Sequence, residues 1–93
     1  MIKFPNDLTI ACVDEYSLEI QPIIDDNEKI SIDDSQLMRV DTIGVQFILA
    51  VVTYISAQGK ELTWQSTSKV LHQSIQQLGI TDAMLMQYMP SKN

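Results

Sequence analysis

Apolar positions along this chain follow two periods in turn, the two-residue period of a strand and the longer period of a helix. Lys29-Ile30-Ser31-Ile32-Asp33 alternates polar and apolar residues, which predicts a half-buried strand. Before it, Val13, Tyr16, Ile20 and the pair Ile23-Ile24 recur at helical spacing, with Asp14 and Glu15 near the positive end of that helix. Pro22 conflicts with the pattern, because it has no N–H to donate and predicts a kink or an early end. Gln36 to Val40 reads as an irregular link with Leu37 and Val40 turned inward. The clearest helix of the chain runs from Thr42 to Gln58, stopped by Gly59. Lys60 to Trp64 reads as a strand. Ser66 to Leu78 reads as a helix with Ser66 as its N-cap, Gly79 as its C-cap, and Val70, Leu71, Ser74, Ile75 and Leu78 along one face. Met1 to Phe4 predicts a short edge strand, Pro5-Asn6-Asp7 a turn, and Leu8-Thr9-Ile10 a second short strand. Thr81 to Tyr88 predicts a last short helix or strand that holds Met84, Leu85 and Met86 near the core, and residues 90–93 a flexible tail.

Strands alternating with helices predict an α/β fold: one small domain over residues 1–93, with a mixed sheet of four or five strands and helices packed mainly on one face. A 45% hydrophobic and 19% charged composition suits an ordinary globular domain. The net charge of −6 argues against nucleic acid and anionic membrane surfaces as partners, since both reward clustered Lys and Arg. Eight of the twelve carboxylates (Asp14, Glu15, Glu19, Asp25, Asp26, Glu28, Asp33 and Asp34) fall in one early stretch where Lys29 is the only base. That stretch reads as a solvated face or as steering for a basic partner. Cys12 is alone, so neither an internal disulfide nor a cysteine metal cluster is expected, and the thiol reads as inert and at least half-buried. Met1 to Asp7 lacks the apolar core of a signal peptide, and the longest apolar run, Phe47 to Val52, is far too short to span a bilayer. The expectation is a cytoplasmic protein with no direct membrane insertion.

The chemistry concentrates at Asp41-Thr42-Ile43-Gly44. A hydroxyl at the entrance of an apolar helix lies beside unpaired backbone N–H groups, at the positive end of the helix dipole, where a phosphate or a partner is well received. Asp41 reads either as the N-cap of that helix or as a group that orients the Thr42 hydroxyl or receives an incoming base. At about 100° per residue, Gly44, Phe47, Ile48, Val51 and Ile55 lie opposite Thr42 and face the sheet. Thr42, Gln46, Thr53 and Ser56 share the other side, with Leu49 in the middle of the stripe and Ala50 beside it. That ridge would serve as a docking surface or as plain surface. Gly44 reads as a point of close approach between helix and sheet, kept despite its cost of about 1 kcal/mol relative to Ala in a helix.

Nothing in the residues predicts an enzyme, a cofactor or a metal: there is no Gly-rich phosphate loop with Lys, no paired-His spacing and no nucleophile triad. His72, the only histidine, reads as a surface or packing residue. An aspartyl-phosphate or metal site at Asp33, Asp34 and Asp41 would need a longer chain and a late strand ending in Lys. Trp64 reads as a core plug or an edge contact. Met84, Met86 and Met89 read as packing over the sheet or as a sticky partner surface.

From Lys29 onward the chain resembles the STAS domain, the fold of bacterial anti-sigma factor antagonists, also called anti-anti-sigma factors. The family pattern is a strand ending in Asp, a short link, Asp-Ser/Thr-x-Gly opening a helix, then Gly, a strand, and a helix ending in Leu-Gly. Here it runs Ile30-Ser31-Ile32-Asp33, Val40-Asp41-Thr42-Ile43-Gly44, Gly59-Lys60-Glu61-Leu62-Thr63-Trp64 and Leu78-Gly79-Ile80. The resemblance covers about two-thirds of the chain well, and Leu8 to Glu15 extends it less specifically. It implies a non-catalytic signal-transduction module whose Thr42 is phosphorylated by a partner, a serine-threonine kinase that is itself an anti-sigma factor or another signalling kinase, and which is released by that phosphate. Asp33, Asp41, Thr42, Gln46, Leu49, Ala50 and Thr53 are then the expected partner-binding residues. Thr in place of the commoner Ser, and Ile43 where many antagonists carry a second Ser, are departures. The Asp-Thr form is similar to STAS subunits of a bacterial lipid-transport ABC complex, which brace the ATPase without phosphate transfer, and it also resembles STAS proteins encoded with chemotaxis kinases.

Overall fold

Residues 1–90 are described by the computed structural model of the chain. In chain order the elements are β1 (Ile2–Lys3), β2 (Asp7–Leu8), α1 (Val13–Asp25), β3 (Lys29–Asp33), β4 (Arg39–Val40), α2 (Thr42–Ala57), β5 (Glu61–Trp64), α3 (Lys69–Leu78) and α4 (Ala83–Met86). The alternation read in Lys29–Asp33 makes it the middle strand of a three-stranded sheet ordered β1-β3-β5. Register stacks apolar on apolar: Ile2 pairs with Ile32, Ile30 with Leu62, and Ile32 with Trp64. The intervening rows, Lys3 with Asp33, Lys29 with Glu61 and Ser31 with Thr63, are polar. One face of the sheet is therefore apolar and takes the helices, and the other is left to water.

The expected mixed sheet of four or five strands does not form. The main sheet has three strands, and β2 and β4 make a separate two-stranded pair; every ladder among the described residues is parallel. Both facts have simple causes. Each return between paired strands passes through a helix, which carries the chain back to the end where it started. Phe4 still donates its N–H to the Asp33 carbonyl at 2.9 Å, but Pro5 has no donor and the ladder stops there. Asn6 then turns the chain outward, and its carbonyl accepts both Met38 and Arg39 N–H at 2.8 and 2.9 Å, which starts the second pair.

Helix α2 is the central element, packed on the strands and against α1, α3 and α4. Its buried arc is wider than expected for that reason. Val45 and Val52 are sealed with Gly44, Ile48, Val51 and Ile55, whereas Phe47 is half-buried and meets Tyr16 edge-on. Trp64 is a core residue, in contact with Phe4 and stacked on Tyr88. Leu37 is buried as expected, while Val40 is only half-buried. Cys12 is half-buried just before α1.

Pro22 does not end α1: the helix runs through to Asp25. The carbonyl deprived of a partner belongs to Leu18, whose residue is exposed, so water can replace the lost bond. The far end of α1 is closed by Lys60, whose Nζ donates to the Ile24 and Asn27 carbonyls at 2.7 and 2.8 Å. A cation is well placed at that negative helix end. Helix α3 starts later than expected, at Lys69, with Ser68 rather than Ser66 as its N-cap. The last element is the short helix α4, capped by Asp82; its Leu85 is sealed, but Met86 is exposed rather than near the core. Of the expected tail at 90–93, residues 91–93 lie outside the described residues. No helix among the described residues is long and apolar enough to cross a membrane.

Candidate functional site

The entrance to α2 is built by one carboxylate. Asp41 sits in extended backbone immediately before the helix, and its Oδ1 accepts the Gly44 N–H at 2.8 Å. Its Oδ2 accepts the Ile10 N–H at 3.0 Å, from the loop that follows β2. Both oxygens are thus engaged in structure, which settles the N-cap reading and adds a role the sequence did not reveal. Asp41 lashes the 9–12 loop to the helix. Gly44 makes the approach possible: a Cβ there would stand 1.9 Å from the Leu8 carbonyl oxygen and 2.8 Å from Val40 Cγ2. Nothing larger than hydrogen fits between α2 and the β2–β4 pair.

Thr42 is the first residue of the helix and is exposed, and the bonds that fix the entrance do not involve its hydroxyl. The next residue, Ile43, is 38% exposed, and Ile10, whose N–H is bound to Asp41, is 69% exposed. Ile10 was read only as the end of a short strand; β2 ends at Leu8, which frees it for the surface. Along the same side of α2, Gln46, Ala50 and Thr53 are exposed, and Leu49 is half-buried against the core. The Thr53 hydroxyl donates back to the Leu49 carbonyl at 2.8 Å, so its oxygen faces outward mainly as an acceptor. Asp33 is separate from this group. As the last residue of β3 it accepts the Ser35 N–H at 2.9 Å, and no hydrogen bond among the described residues joins it to the entrance.

The backbone N–H groups of Ile10 and then Gly44 hold the Asp41 carboxyl below the usual carboxylate range. Ser35 does the same for Asp33, and the Tyr54 hydroxyl, followed by Gln21, for Asp25. A depressed folded-state value contributes stability above the unfolded value, near pH 4, and loses it as pH falls through the folded value. Stability should therefore begin to fall below about pH 4. Urea midpoints measured from pH 6 to pH 2 should fall less for Asp41→Asn than for wild type, and parallel curves would refute the assignment.

A second cluster was missed by sequence reasoning. Asp34 is 1% exposed, not part of an acidic surface with Asp33. Its carboxylate accepts the Ser66 hydroxyl, the Thr67 N–H at 2.9 Å and the Ser68 N–H at 3.4 Å. Ser66 is consumed in this way, which is why it does not cap α3. Ser68 donates its hydroxyl to the Leu37 carbonyl at 3.1 Å while accepting the Leu71 N–H. His72 Nε2 lies 2.8 Å from Ser66 Oγ. A serine, a histidine and an aspartate thus meet, but in an order that does not make a nucleophile. The serine is in the middle and spends its proton on the carboxylate, whereas activation requires the imidazole between the other two. The signal was available in the polar runs Asp33-Asp34-Ser35 and Ser66-Thr67-Ser68, although only contact in space reveals that one serves the other.

No family model and no curated protein sequence matches this chain. The site stands on its own geometry: an uncovered hydroxyl on the first turn of a buried helix, fixed from beneath by Asp41 and Gly44, with apolar neighbours and a polar stripe leading away from it.

Proposed function

We propose that this chain is a STAS-type regulatory module that docks a protein partner through the α2 entrance and the stripe Gln46, Leu49, Ala50 and Thr53, and that phosphorylation of Thr42 switches the contact off. The observation that carries this reading is the exposure of Thr42 at an entrance whose capping work is done entirely by its neighbour. A hydroxyl released from structural duty is accessible to a kinase and to a docking surface alike. The partner is then an anti-sigma factor with serine-threonine kinase activity, or another signalling kinase.

A phosphate on Thr42 would bring about −1.5 to −2 charges to a helix N-terminus, which its own domain tolerates. Pressed against a partner, the same charge is repelled or must be desolvated, next to apolar Ile43, which does nothing to neutralise it. The apolar flanks also favour a second reading, a constitutive accessory subunit of an ABC ATPase, because they suit a lasting contact more than a transient one.

Thr42→Glu should weaken partner capture about tenfold or more, since a charge buried against an unprepared surface costs several kcal/mol. Capture from the native host with wild type beside Thr42→Glu and Ile10→Asp measures this, and undiminished capture by both variants defeats the docking site. Phosphate-affinity electrophoresis separates the two readings. A switch gives two pools that merge in Thr42→Ala, and a constitutive subunit gives a single pool.

A further inference from the structure

A concavity of about 780 Å³ lies away from Thr42, between α3 and the segment that carries α4. That is the size of a small-molecule site. Ile80, Met86, Met89 and the largely buried Ile75 give its apolar lining, Gln73, Gln76 and Thr81 line it too, and Met86 is 39% exposed. Methionine suits such a wall because its flexible thioether adapts to irregular apolar shapes.

The charge of the groove runs against that of the protein. The chain carries twelve Asp and Glu against six Lys and Arg, yet no carboxylate lines the groove among the described residues, and Lys69 and His72 do. Lys69 makes no ion pair within the described residues. Lys69 opens α3 and Ile80 follows its end, so about 15 Å of helix lies between them, with Gln73 and Gln76 along the way. His72 is held in place: its Nε2 is engaged by Ser66 Oγ at 2.8 Å, and Ser66 is anchored on the buried Asp34. Ser66 gives its own proton to Asp34, so the imidazole donates this bond through Nε2–H, and Lys69 is the group left to meet an anion.

We propose that this groove binds a single-chain amphiphilic carboxylate, with the tail against Ile75, Ile80, Met86 and Met89 and the head group at Lys69. An elongated anion with an apolar tail is the occupant that matches both the cation at one end of the groove and the missing carboxylates. A cationic amphiphile meets Lys69 with like charge.

The probe is sodium laurate, titrated below its micellar concentration into the full chain carrying ¹³C-labelled Ile and Met methyl groups. Saturable shifts confined to Ile75, Ile80, Met86 and Met89 are expected. Lys69→Glu should weaken binding about fivefold or more, because it replaces one attractive exposed pair by a repulsive one. Dodecyltrimethylammonium, with the same chain and the opposite head, should bind more weakly than laurate to wild type and more tightly to Lys69→Glu. Both Lys69 and Met86 are exposed, so Lys69→Glu and Met86→Glu are expected to fold, and Met86→Glu should abolish saturation. Shifts scattered over other methyl groups, equal binding of the two head groups, or a response only above the micellar threshold would each overturn the proposal. None of these outcomes bears on the Thr42 entrance.

Discussion

Gly44→Ala should destabilise this protein by roughly 3 kcal/mol, at the upper end of what overpacking costs. In an open helix the same change would stabilise by about 1 kcal/mol, because Ala is the better helix former. Here the added methyl would lie 1.9 Å from the Leu8 carbonyl oxygen and 2.9 Å from its carbon, and both are backbone atoms that cannot rotate away. Either α2 lifts off the β2–β4 pair or the pair separates. Each route also stretches the Ile10 to Asp41 bond that lies beside it. Urea unfolding at pH 7 reads the loss, and Ala at the exposed Ser56 of the same helix serves as the control for propensity. A Gly44→Ala protein as stable as wild type would mean that α2 does not lie where it is described. Because the entrance is assembled on this contact, a variant that still folds should also bind its partner poorly.

Asp34→Ala should cost about 3 kcal/mol or more, since hydrogen bonds to a charged acceptor are each worth about 1.5–3 kcal/mol and their donors are left buried. Ser66, Thr67 and Ser68 would all lose a partner at once, and the turn before α3 would lose the group that orders it. Asp34→Asn is the finer test. It keeps the shape but replaces one acceptor oxygen by a donor that faces other donors, so most of the loss should remain. Asp33→Asn makes the same chemical change one residue earlier, on the half-exposed end of β3, and should leave the unfolding midpoint nearly unmoved. Equal effects at the two positions would contradict the burial of Asp34.

The contrast between those neighbours marks how far local pattern reaches. Alternation in Lys29–Asp33 identified a strand and its inward residues, because a two-residue period is a property of the backbone itself. It stopped at Asp33, and the next residue, whose orientation depends on the 66–68 loop, was misjudged as surface. The same division runs through α2. Its length and its exposed stripe were legible from periodicity, whereas the burial of Val45 and Val52 required knowing that further helices close over its flanks. Pro22 was overestimated as a helix breaker because its effect depends on whether the orphaned carbonyl meets water or protein.

The chain by itself determined an α/β domain, five of its main elements to within a few residues, the uncovered Thr42 and the need for glycine at residue 44. Those follow from period, capping chemistry and backbone sterics, which act over a few residues at a time. Only the tertiary structure decided that the strands divide into three and two, that Asp41 holds a distant loop as well as its own helix, that Asp34 serves the residues before α3, and that a groove with Lys69 and no carboxylate among the described residues opens beside that helix. Each of these rests on groups more than thirty residues apart or on the gap left between packed elements, and no local rule reports on the space that folding leaves empty.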